Sequence, residues 1–337
     1  MKQMLRVGIA VAMVMLMGMS AQASEWNFYG NARIGTFWSN ADDGAGTETD
    51  TFSQYLHGNS RVGAKVTVSD ELKAGFEYGT GVNVRKLYGE WNFGAGKFLV
   101  GQTYTPVNAN YSSQVFSEDM NLEKYGAIST SRDPMLQLTF GDFKIAAVQP
   151  ESDDLGTGDP IEYSMPRIEA SYKMSFNNVS MTAVAGYNAY EIDRQHDVDS
   201  YIVGLAGKVN VGAAFLAGSF YTGQNLGPYG FKANGDDPVI SGNEVRDNDG
   251  FGYTLIAGYK LNDMIKLEAG YGYTESELDQ SGSKEDDASA YYLQAKITMA
   301  PGVYVIPEIG KIDEGEDSTG AEEGDTTYYG AKWQISF

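Results

Sequence analysis

The segment Thr326–Phe337, TTYYGAKWQISF, leaves the chain few folds. Tyr329, Ala331, Trp333, Ile335 and Phe337 fall on one face, and Tyr328, Gly330, Lys332, Gln334 and Ser336 on the other. Period two is the spacing of a β-strand with one apolar and one polar side. Water punishes the exposed aromatic face, and hydrocarbon punishes any backbone N–H or C=O left unpaired. A terminal strand of this kind, ending on phenylalanine, is expected where a sheet closes on itself inside a membrane.

The same alternation recurs along the chain in segments of about 8 to 13 residues. Near 26–38, Trp26, Phe28, Ala32, Ile34 and Trp38 oppose Asn27, Asn31 and Arg33. Near 55–68, Leu56, Val62, Ala64, Val66 and Val68 oppose His57, Asn59, Arg61, Lys65 and Thr67. Further strands are predicted near 72–78, 83–93, 96–104, 134–140, 142–149, 164–176, 178–188, 200–210, 211–222, 251–260, 264–274, 288–299, 302–310 and 326–337. The facing of 97–104 and of 200–222 stays open, because both faces read alike there. The links alternate too. Short ones use turn residues, as at Ser69-Asp70, Gly94-Ala95, Gly141, Asn177-Asn178, Asn210, Asn262-Asp263 and Ala300-Pro301-Gly302. Long polar ones run over 39–54, 105–133, 150–163, 189–199, 223–250, 275–287 and 311–325, and only 81–82 is brief. The fold expected is all-β: a 16-stranded antiparallel transmembrane β-barrel with short periplasmic turns and long extracellular loops. A barrel of that size has a lumen too wide for side chains to fill. Aromatics near strand ends, such as Trp26, Trp38, Tyr271 and Trp333, fit interfacial girdles.

Residues 1–23 read as a cleaved secretory signal: Lys2 and Arg6, an apolar run from Val7 to Met19, then Ala21-Gln22-Ala23. Residues 24–337 then form one barrel domain without a linker. The net charge of −21 argues against nucleic acid and for cations near the protein. Its acids concentrate in the long links, at Glu151, Asp153 and Asp154, at Asp236 and Asp237, at Glu285 to Asp287, and from Asp313 to Asp325. Those loops could hold Ca²⁺ or Mg²⁺ loosely; no other cofactor is expected. With no cysteine and only His57 and His196, neither a zinc site nor a nucleophilic triad is supported, and no enzyme is expected.

Arg85 to Pro106, RKLYGEWNFGAGKFLVGQTYTP, resembles the Gram-negative general porin family at Arg85, Tyr88, Gly89, Phe93, Gly94, Gly101 and Pro106. The hairpin count and the terminal phenylalanine extend the likeness over the mature chain. The resemblance implies an outer-membrane homotrimer exported by a Sec-type signal, in contact with lipid and lipopolysaccharide. It also implies that the third extracellular loop, here 105–133, folds into the lumen and sets acids against a ladder of bases. The matching acids are Glu118, Asp119 and Glu123; the bases are Arg33, Arg61, Lys65, Arg85 and Arg132, with Lys86 beside them. Three features depart from the family: no proline-glutamate-phenylalanine-glycine-glycine kink, Gln102 after Gly101, and almost no second loop at Gly81-Val82. The expected function is a water-filled channel for passive diffusion of small hydrophilic solutes and ions, mildly cation-preferring. Alternatives are a solute-specific channel with Tyr104, Tyr111, Phe116 and Tyr125 as an aromatic track, and a surface or adhesin barrel.

Overall fold

In a computed structural model, residues 24–337 are described except Val82, Asn234, Asp236 and Asn243. The signal expected over 1–23 lies outside the described residues, as does Asp236.

The alternating segments pair as sixteen strands. These are β1 (Glu25–Asp42), β2 (Glu48–Leu56 and Arg61–Thr67), β3 (Leu72–Gly79), β4 (Val84–Asn92), β5 (Lys97–Tyr104), β6 (Arg132–Phe140), β7 (Phe143–Val148), β8 (Ile161–Glu162 and Arg167–Phe176), β9 (Val179–Ile192), β10 (His196–Val211), β11 (Ala214–Gln224), β12 (Asn248–Lys260), β13 (Ile265–Leu278), β14 (Glu285–Ala300), β15 (Val303–Asp313) and β16 (Asp325–Ser336). Each strand runs antiparallel to the next, as the ladder β1 makes with the two pieces of β2 illustrates. The terminal strand then closes the sheet: β16 pairs with β1 from Asn31↔Ser336 to Asp42↔Asp325. Closure leaves no edge, so every strand's backbone groups meet a partner within the hydrocarbon.

Alternation sends Trp26, Phe28, Trp38, Leu56, Leu255, Ile309, Trp333 and Phe337 outward, all exposed, with no soluble core to bury them. Trp38 stacks on Tyr329 across the closing seam, 5.5 Å between ring centroids. Residues between strands on one rim number two to four, at 68–71, 93–96, 141–142, 177–178, 212–213, 261–264 and 301–302. The turn expected at Asn210 lies slightly later, with Gly212 at φ 59°.

The opposite rim corrects the loop lengths expected from sequence. Ladder pairing continues to Asp42↔Glu48, Ile192↔His196, Glu277↔Glu285 and Asp313↔Asp325. Four of the supposed long links are therefore tall hairpins. Above the membrane both faces of a strand are wet, so the apolar alternation that marks a spanning strand disappears while the hydrogen-bonded ladder goes on. Three links leave the ladder, 105–131, 149–160 and 225–247, and the first and last turn inward.

Candidate functional site

The inward loops explain why β10 and β11 read alike on both faces. Tyr201, Val203 and Leu205 face outward, while Ile202, Ala206, Ala217 and Tyr221 face the lumen. Three of these do not meet water, because Ile202, Ala206 and Tyr221 pack with Val107 and Ile128 of the first inward loop and with Leu226, Tyr229 and Phe231 of the second. A further apolar cluster joins Val115, Leu122, Tyr125 and Ala127 to Phe37, Ala290, Tyr292 and Tyr328. The loop also needs clearance. A β-carbon at Gly272, on the lumen side of β13, would collide with the Tyr125 carbonyl. That glycine is a docking position, which its spacing alone does not reveal.

Polar anchors fix the path of the loop. Its N–H groups donate to wall carboxylates: Val107 to Glu169 (2.9 Å), Ser113 to Glu268 (2.8 Å), and Val115 and Phe116 to Glu308 (2.8 and 2.9 Å). Charge-assisted bonds of this kind contribute about 1.5–3 kcal/mol each. Ser219 Oγ donates to the Gly126 carbonyl at 3.1 Å, and Phe116 stacks on Tyr328 at 3.7 Å. Arg167, fully buried, donates to Asp133 (2.5 Å), where the loop rejoins β6, and to the Tyr229 carbonyl of the second loop (2.9 Å). One guanidinium on β8 thus holds both inward loops.

The tip of the loop carries the most charge. Ser117, Glu118 and Asp119 take positive φ of 45°, 65° and 62° in succession, a conformation that non-glycine residues hold only when their surroundings over-determine it. The surroundings here are β1, β2 and β16. Asp119 pairs with Arg33 Nη1 and with Lys332 Nζ, the latter at 2.5 Å, and His57 Nε2 lies 3.6 Å away. Burial acts to raise the Asp119 carboxyl's pKa, but Lys332, His57 and Arg33 outweigh it and hold it below the usual aspartate value. Glu118 accepts from the Gly58 N–H at 3.0 Å, and its carbonyl accepts from Asn59. The seat exists because β2 breaks at 57–60. There Ser60 Oγ accepts the Arg33 N–H at 2.9 Å in place of a ladder partner. The loop tip is thus a left-handed turn clamped by ions.

Seven of the eight residues expected at the constriction line one outer cavity of about 1050 Å³. They are Arg33, Arg61, Arg85 and Arg132 from the wall and Glu118, Asp119 and Glu123 from the loop. Their pairing is not a simple face-off of loop acids and wall bases. Arg61 and Arg85 bridge to Glu77 of β3 at 3.4 and 2.9 Å. Arg132 donates to the Tyr104 hydroxyl at 3.0 Å, and Glu123 pairs with Lys232 of the second loop at 2.6 Å. Lys65 is placed elsewhere, exposed in register with Asn27 and Gly75 and outside the cavity wall. Sequence reasoning missed Lys332, Glu77, Glu308 and Arg167. Lys332 and Glu77 stood on the polar faces of amphipathic strands, a signal shared by dozens of residues. Gln102 stands opposite Leu87 on β4 and donates to the Val84 carbonyl at 2.7 Å. Of the four aromatics offered as a track, Tyr125 is buried with its hydroxyl on Glu314 at 2.8 Å, and Phe116 spends its face on Tyr328.

A second cavity, about 590 Å³, lies on the periplasmic side of the loop. Arg33, Ser113 and Lys332 belong to the walls of both cavities, so the ion-paired loop tip stands between them. Among the described residues, no group of three or more His, Asp or Glu is placed to hold a metal ion.

The same architecture occurs in solved proteins. The outer-membrane channel DcaP of Acinetobacter baumannii superposes with a TM-score of 0.80 at 17% identity, over 94% of this chain and 99% of that one. The Vibrio cholerae outer-membrane protein OmpT in its trimer form gives 0.60 at 19% identity, over 93% and 100%. Salmonella typhi OmpF, in complex with daunomycin, gives 0.64 at 14% identity, over 94% and 99%. No curated protein matches the chain. The family model described as Gram-negative porin matches residues 10–318, and the chain therefore belongs to the Gram-negative porins and forms an outer-membrane channel.

Proposed function

We propose that the channel passes small hydrophilic solutes and ions by passive diffusion, through an aperture framed by Arg33, Asp119 and Lys332. The carrying observation is that this ion-paired loop tip stands between the two lumen cavities. Opposed charges across a narrow aqueous gap order water there, which favours polar solutes over apolar ones. A mild cation preference is assigned to the acidic outer rim, including Glu285, Asp287, Asp313 and Asp325, which raises cation concentration at the entrance. Homotrimerisation is part of the proposal, supported by the OmpT neighbour solved as a trimer. With β3 joined to β4 across 80–83 only, no long second loop is available to reach a neighbour, so wall packing would carry the assembly. The stacking of Phe116 on Tyr328 and the burial of Tyr125 argue against a dedicated aromatic sugar track.

Planar-bilayer recording of the folded mature protein tests the proposal. Stepwise ohmic currents, in threes for a trimer, with a reversal potential on the cation side of zero are expected under a KCl gradient. A folded, heat-modifiable barrel that never conducts would overturn it.

A further inference from the structure

The periplasmic chamber has a charge pattern that the outer cavity lacks. Around the outer cavity, each wall arginine except Arg132 is ion-paired, Arg33 with Asp119 and both Arg61 and Arg85 with Glu77. In the inner chamber, Lys208, Lys266 and Lys296 form no ion pair among the described residues. The ladder sets Lys266 directly across from Lys296, and Lys260 directly across from Lys266. Like charges facing each other across a sheet are destabilising. Only Lys260 has local relief, from Asp263 in the adjoining turn at 2.6 Å. Aromatic faces hold two of the others: Lys208 Nζ lies 3.8 Å from the Phe215 ring centre and Lys296 Nζ 4.1 Å from that of Tyr304. An aromatic face fixes an ammonium without neutralising it, which leaves the charge available to a solute.

Among the described residues the chamber is lined by one carboxylate, Glu268, a single negative charge against three lysines. Glu268 Oε1 already accepts from the Ser113 N–H, the Tyr292 hydroxyl (2.7 Å) and Gln294 Nε2 (3.2 Å). Arg33 and Lys332, at the upper end, are engaged by Asp119. The uncompensated positive charge therefore gathers on one stretch of wall, β10 and β13 to β14, within a volume that suits a small molecule.

We propose that this chamber is a binding site for a compact polyvalent oxyanion, with phosphate or clustered carboxylate groups, taken by Lys208, Lys266 and Lys296. It deepens the channel reading and rests on it for the solute's access. The two selective elements lie at different depths: acidic loops draw cations at the outer mouth, and the lysine row retains an oxyanion near the periplasmic exit. Such a site would slow the transit of these anions and occlude the lumen while occupied.

The test uses the full mature protein in a bilayer, with KCl conductance read first and pyrophosphate then added to either chamber. Dose-dependent block is expected, reached at lower concentration from the side of the periplasmic turns. Lys266→Gln with Lys296→Gln should weaken the block about tenfold or more, as two charge-assisted contacts are lost. Lys208→Gln, on a different strand, is the second variant if the pair fails to fold, and should weaken it also. Channels that conduct normally but ignore pyrophosphate would overturn the site and leave the pore standing, as would equal block in folded variants. If no conductance appears, the pore reading has failed, and calorimetric titration of pyrophosphate into the folded barrel in detergent still decides the site.

Discussion

Asp119→Asn removes the one carboxylate shared by Arg33 and Lys332 while keeping the side chain's shape. Those cations are only 13% and 8% exposed, and without Asp119 they lose the ion-pair partner they share. In a dry interior, breaking such a pair costs about 3–5 kcal/mol. Lumen water reduces that figure, so loosening of the loop tip is expected and loss of the barrel is not. The effect on ions follows from Coulomb's law. A unit charge about 6 Å from a passing ion acts with about 0.7 kcal/mol at the dielectric of water and about 3 kcal/mol at an effective dielectric of 20. Taking the weaker value for a hydrated aperture, cations become scarcer and anions richer by about threefold each. The cation-to-anion permeability ratio should therefore fall by about three- to tenfold. Reversal potentials in a KCl gradient measure it, and Asp119→Glu should return most of the selectivity. An unchanged ratio in a folded, conducting Asp119→Asn channel would refute the placement of Asp119 on the ion path.

Arg33→Gln with Arg61→Gln should shift the reversal potential the other way, toward cations, and an unchanged potential would remove both from the ion path. Glu308→Gln weakens the acceptor of the Val115 and Phe116 N–H groups, at about 1.5–3 kcal/mol per charge-assisted bond. Noisier open-channel current is its expected sign, and quiet current would count against the anchor. Arg167→Met leaves Asp133 and Glu169 without their guanidinium, and should make the 225–247 loop sensitive to protease in a barrel that still folds. A protease-resistant loop in that variant would mean the loop is held elsewhere. For pH, Asp119's folded pKa is depressed, so its stabilisation is present above the unfolded value and lost as pH falls through the folded one. Ion selectivity at the aperture should hold from neutral pH past the ordinary aspartate value of about 4 and change only below it. A selectivity change centred at pH 5 to 6 would implicate other groups.

The strand pattern was legible because lipid imposes a rule on every other residue. Trp333, Ile335 and Phe337 must be apolar where the hydrocarbon is, and Lys332 and Gln334 need not be. The rule fails where its cause is absent. Above the membrane it lost the strand ends near Asp42 and Ile192. Against the inward loops it blurred, because Ile202, Ala206 and Tyr221 face a packed loop in place of water. The acids of the loop tip, Glu118, Asp119 and Glu123, were reached through the likeness to the porin family. Of Asp119's partners, Arg33 was among the bases expected, but Lys332, 213 residues away in the chain, was not.

The sequence by itself determined the sheet: the number of strands, which face meets lipid outside 97–104 and 200–222, which rim carries the short turns, and that the last strand must find a partner. These are local consequences of a two-residue period in an apolar solvent. Only the tertiary structure decided how the lumen is divided. Barrel closure brings β1 against β16, the break at 57–60 opens a seat beside them, and Asp119 then reaches two cations from opposite ends of the chain. It also lined up Lys260, Lys266 and Lys296 across three strands, where register decides which charges face each other. Charge pairing across a closed barrel depends on register and closure, and neither is written in the periodicity of any single strand.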